Sequence, residues 1–172
     1  ALAQAATGGD YRALVCLFLF GGNDANNLLV PYETADYNRY ARARSNLALG
    51  RDALLPISPT NTGSVRYGLH TAMAGIAGLF GQGQAALVAN TGPLMVPTSK
   101  TQWNSRSVPL PDNLFSHSDQ QSQWQAALYS RPTTGWGGRL TERLVADGSS
   151  NRGYSVISVT GGNLWAVSYT HL

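Results

Sequence analysis

Residues 14–20 (L-V-C-L-F-L-F) form an apolar run without a polar interruption, and it stops at Gly21 and Gly22, directly before Asn23 and Asp24. Such a run lacks the alternation of a half-buried strand. It predicts a strand buried on both faces, as at the centre of a parallel sheet. The glycine pair allows a sharp turn with no Cβ in the way. In open α/β sheets ligands bind just beyond the carboxyl ends of the strands. Asp24 therefore falls where a catalytic or metal-binding acid is expected. The same G-G-N-D residues also make good turn chemistry on their own, and both readings stay open at this point.

Further along, residues 85–89 and 154–159 read as two more buried strands, each followed by a turn rich in Gly and Asn. Residues 54–57 suggest a short edge strand, since Pro56 is unsuited to a central one. A helix is expected from Asp36, a candidate N-cap, to about Arg44. A second follows Leu69, Met73, Ile76 and Phe80, which share one helical face, and Gly81 ends it. A third runs from Ser116 to Leu128, with Trp124 and Leu128 one turn apart. A fourth carries Leu140, Leu144 and Val145 and stops near Asp147 and Gly148. Residues 58–66 read as an exposed loop or hairpin, and residues 131–138 as a loop. Residues 94–114 lack periodicity, and a loop of that length is usually a lid or a binding loop. The order of elements predicts an α/β fold with a largely parallel sheet flanked by helices.

At 172 residues and 43% hydrophobic content, the chain can bury one core. Residues 1–12 read as a lead-in, residues 13–166 as part of one domain. Net charge is only +3 and is spread thinly, which excludes a nucleic-acid stripe. No apolar stretch reaches the length of a membrane span. Cys16, the single cysteine, is excluded from an intramolecular disulfide and is expected as a small core residue. The opening A-L-A-Q-A-A resembles the region around a signal-peptide cleavage site. Residues 167–172 resemble a sequencing-adapter tail, which would leave His171 without a function and the natural protein longer.

The second place where chemistry is expected is Phe115-Ser116-His117-Ser118-Asp119. Ser116 with an acid three residues on is a capping-box-like helix start. The same position suits a nucleophile, because a helix N-terminus presents free N–H groups to phosphate or sulfate. His117 is a candidate base, ligand or oxyanion donor. His70 reads as a structural histidine. Trp103 and Trp136, expected in loops, are candidates for stacking on a sugar or an aromatic ligand. No H-E-x-x-H, C-x-x-C, G-x-x-x-x-G-K-[ST] or G-x-S-x-G is present.

Taken together, V-C-L-F-L-F-G-G-N-D-A-N-N-L-L-V-P, V-A-N-T-G-P-L, L-F-S-H-S-D-Q-Q-S-Q-W-Q, T-G-W-G-G-R-L and I-S-V-T-G-G-N-L-W resemble, over about residues 10–166, a bacterial family of exported proteins labelled as a domain of unknown function. That family is usually exported by the twin-arginine route and is allied to the alkaline phosphatase and sulfatase superfamily. The resemblance implies a divalent metal such as zinc, calcium or magnesium bound at Asp24, and Ser116 as nucleophile with His117 beside it. It also implies that Asn23 orients the oxyanion. The superfamily's other Asp and His ligands lie toward the C-terminus and do not occur in this chain, so the fold is expected to be incomplete there.

The function expected is an exported metal-dependent hydrolase-like protein acting on phosphate or sulfate esters, with a small-molecule or polysaccharide ester as substrate. The alternative is a non-catalytic periplasmic or cell-surface binding protein of the same fold. A sheet without its later strands is expected to present an unpaired edge and to promote association.

Overall fold

The computed structural model describes residues 13–21, 23–130, 132–150, 155–159 and 161–168. They fall into two compact units, Ala1–Val88 and Ala89–Leu172.

The first unit is built on a three-stranded antiparallel sheet of β1 (Leu29–Pro31), β2 (Leu55–Ile57) and β3 (Tyr67–Leu69). β3 is the central strand, paired with β1 through Leu29↔Leu69 and with β2 through Leu55↔Leu69. Both prolines of the sheet, Pro31 and Pro56, lie on its outer strands, where a missing N–H breaks no ladder bond. Val30, Leu54, Ile57 and Leu69 form the buried apolar centre. Helix α1 (Thr34–Arg44) packs against β1, and α2 (Ala74–Gly81) packs against β2. Tyr32 lies under two guanidinium groups, with Arg51 at 4.9 Å and Arg66 at 5.1 Å from its ring centroid. These contacts cover the sheet edge with apolar stems and keep the charge in water.

The second unit contains α3 (Lys100–Ser105), α4 (His117–Ala126), α5 (Trp136–Ala146) and a 3-10 turn at Leu164–Ala166. α4, α5 and the 3-10 turn pack on one another. Ala126 is the one buried hydrophobic residue here among the described residues, while Gln123, Gln125, Thr134 and Ser168 are buried polar ones. Polar bonds to the backbone do the joining. Gln125 Oε1 accepts the Trp165 N–H at 3.1 Å, and the Gly135 N–H donates to the Val167 carbonyl at 2.9 Å. Arg139 donates to the Thr134 carbonyl at 3.0 Å and to the Ala126 carbonyl at the end of α4. The start of α5 lies so close to the 3-10 turn that a Cβ at Gly135 would collide with the carbonyl oxygens of Leu164 and Trp165. One at Gly137 would collide with the Trp165 indole.

The expected α/β fold with a largely parallel sheet is corrected by this architecture. The sheet is small and antiparallel. Residues 14–20 join no strand, and Leu14, Val15, Leu17, Leu19 and Phe20 are each more than half exposed. Cys16, expected in the core, is exposed. Residues 85–89 and 155–159 form no strand either, with Val88 78% and Val159 95% exposed; Tyr154 lies outside the described residues. The physical reason is that an apolar run states a preference for burial, whereas a strand also needs a partner for its N–H and C=O groups. Among the described residues none of these three segments has a ladder partner.

Smaller expectations shift as well. α1 starts at Thr34 with Glu33 as N-cap, and Asp36 sits in its first turn. β3 was not expected from the sequence, and Leu69 belongs to it and not to the following helix. The expected loop 94–114 contains α3, whose Ser99 and Gln102 form a full capping box. α5 begins at Trp136, inside the expected loop 131–138. Gly22 and residues 1–12 lie outside the described residues.

Two outcomes follow from this architecture. Gly135→Ala should lower the unfolding free energy by about 1–3 kcal/mol, because the colliding atoms are backbone; urea denaturation measures it. The exposed apolar segments should drive concentration-dependent association in sedimentation, and Leu17→Glu should shift the distribution toward monomer.

Candidate functional site

Asp24 sits on the loop that leads into β1. It caps a 3-10 turn at Ala25–Asn27, accepting the Asn26 N–H at 3.2 Å, and its other carboxylate oxygen is paired with Arg44 of α1. Asn27 continues the same tie. Its amide donates to the Leu47 carbonyl at 2.9 Å and accepts the Tyr40 hydroxyl at 2.6 Å. The N-D-A-N-N stretch thus fastens the entry of β1 to the end of α1. Asn23 is exposed beside it.

Ser116 is the N-cap of α4. It donates its hydroxyl proton to Asp119 Oδ2 at 2.5 Å, and its Oγ accepts the Asp119 N–H at 3.5 Å. The Ser116 hydroxyl, followed by the Asn113 side chain, holds the Asp119 carboxyl below its ordinary range. Asp119 is therefore ionised at neutral pH, and Ser116 faces a negative oxygen at the positive end of the helix. Phe115, immediately before the cap, has φ 80°, a left-handed conformation that is strained for a residue with a Cβ. His117 is exposed at the first helical position. His70 caps the 3-10 turn Thr71–Met73 through Nδ1, accepting the Ala72 N–H at 3.1 Å, which is a structural role.

A cavity of about 320 Å³ opens in the second unit, walled by Leu94, Gln123, Trp124, Leu128, Tyr129 and Trp136 among others, with no charged side chain among the described residues of its lining. Trp124 and Leu128 stand one turn apart and both reach the wall. Trp136 is fixed edge-on against Trp165, ring centroids 5.2 Å apart at 90°. Gln123 is 2% exposed. Its Nε2 donates to the Asp112 carbonyl at 2.8 Å and to the Tyr129 carbonyl at 3.2 Å. Two carbonyl acceptors fix which end of the amide is nitrogen, so the remaining atom is an acceptor. That atom, Oε1, is buried with no donor among the described residues. An orphaned buried acceptor costs about 1–3 kcal/mol. Ala127, also in the wall, has φ 52°.

The structure thus groups Ser116 and His117 with Asp119, and places Asn23 and Asp24 in the other compact unit. Asp24 is the position where a metal was expected. A guanidinium already pairs with the carboxylate, and among the described residues there is no group of three His, Cys, Asp or Glu able to hold an ion. Among the described residues, no helix is long and apolar enough to cross a membrane. The reading of the sequence missed Gln123 and the cavity. The available signal was the four-residue spacing of Gln123 with Ala127 and of Trp124 with Leu128. Comparison with protein-family models, curated proteins and solved structures returned no match.

Ser116→Ala should lower stability by about 1 kcal/mol at neutral pH through loss of the cap. Asp119 has a depressed folded pKa, so its stabilisation is present above the ordinary carboxylate pKa and is lost as pH falls through the depressed value. The gap between wild type and variant should therefore narrow in acid, as urea melts at about pH 7 and about pH 2 will measure.

Proposed function

We propose that the chain belongs to an exported, metal-dependent hydrolase-like protein that acts on phosphate or sulfate esters. One observation carries this: at the start of α4 a serine hydroxyl is held by an ionised carboxylate at 2.5 Å. In this reading Ser116 Oγ attacks the phosphorus or sulfur, its proton passing to the Asp119 carboxylate that already accepts its hydrogen bond, as the bond to the leaving alcohol breaks. The N–H groups of the first turn of α4 supply the positive field for the ester's charged oxygens. His117 is a candidate base, ligand or oxyanion donor beside it. The strain at Phe115 supports a site here, since strained backbone gathers where chemistry is done. The described residues supply too few ligands for a metal pair, so the metal's ligands would come from further sequence in a longer protein. Export to the periplasm or the cell surface rests on the motif resemblance alone.

The assay uses the protein as the cell makes it, with aryl phosphate and aryl sulfate, with and without chelator. Hydrolysis should disappear with chelator and fall about a thousandfold or more in Ser116→Ala. An unchanged rate in a Ser116→Ala protein whose circular dichroism is native would end the proposal.

A further inference from the structure

We infer that the cavity beside α4 is a binding site for an uncharged sugar ring. Three observations converge on it. Its wall includes three aromatic residues, two of them open to solvent: Trp124 is 44% and Tyr129 43% exposed. Such rings at a concave surface offer flat apolar faces to a ligand. Among the described residues the lining contains no charged side chain, so these walls offer a phosphate or sulfate group no countercharge. The wall residue Gln123 holds a buried amide oxygen with no donor, in an orientation that two backbone carbonyls fix. A ligand that suits this site has an apolar face, no charge and an O–H to donate. A pyranose unit has all three: its axial C–H face lies on an indole and its hydroxyls are donors. The cavity volume of about 320 Å³ lies at the small end of ligand pockets, which matches one ring better than a long segment. The walls come from residues 91–94, from α4, from the residues just after it and from the start of α5. α4, the segment after it and α5 are locked together by Arg139 and Gln125, which fixes that side of the cavity. This site does not depend on ester hydrolysis at Ser116.

The test titrates the whole 172-residue chain with neutral cello-, laminari- and chito-oligosaccharides, read by tryptophan fluorescence and calorimetry. Indole serves as an aromatic control. At least one oligosaccharide should bind, and Trp124→Ala should weaken it about tenfold with an unchanged circular dichroism spectrum. Trp124 is exposed, so its truncation leaves the polar joints of the unit in place. Absence of binding by every oligosaccharide at millimolar concentration overturns the inference. So does binding that Trp124→Ala leaves intact, or binding of indole alone.

Discussion

Arg139 joins the end of one helix to the beginning of the next. From α5 it donates to the terminal carbonyl of α4 at Ala126 and to both oxygens of Thr134. A cation at a helix C-terminus satisfies carbonyls that the helix cannot and also answers the helix dipole. The remaining order in the second unit depends on that joint. Gln123 and Gln125 extend it by bonding to backbone groups before and after the helix pair, and the glycines of α5 let the 3-10 turn close onto it. With few buried apolar side chains available, this unit is specified by satisfied polar groups. The orphaned Gln123 oxygen stands out for that reason.

The first unit solves the same problem by another route. Its sheet has a small apolar centre, and its loops are tied down by side chains that reach the backbone. Tyr37 donates to the Leu49 carbonyl at 2.7 Å, and Tyr40 receives the Leu49 N–H at 2.9 Å. Asp24, Asn27 and Arg44 complete the fastening. The residues that look most like chemistry in G-G-N-D-A-N-N are thus also the ones that hold the β1 entry in place. A similar double meaning applies to S-H-S-D, where the hydroxyl is both a cap and the best-placed nucleophile.

Several features were legible along the chain because they are local. The cap at Ser116, the stop at Gly81 and the structural histidine His70 all depend on residues within one or two turns. The Ser99 and Gln102 capping box was equally local, yet the surrounding Pro, Ser and Asn masked it. What failed was long-range. The apolar runs at 14–20 and 85–89 carry a burial preference, and no ladder among the described residues answers it. β3 went unseen because three residues, one of them Gly68, carry almost no pattern.

By itself, the sequence determined which side chains can cap, pair or stack locally, because these depend on neighbours three or four residues away. Tertiary structure alone decided which segments became strands, since a ladder requires two stretches distant in sequence to meet. It also decided that Gln123 keeps an unanswered oxygen at an aromatic cavity. That fact exists only once the carbonyls of Asp112 and Tyr129 have claimed the other end of its amide.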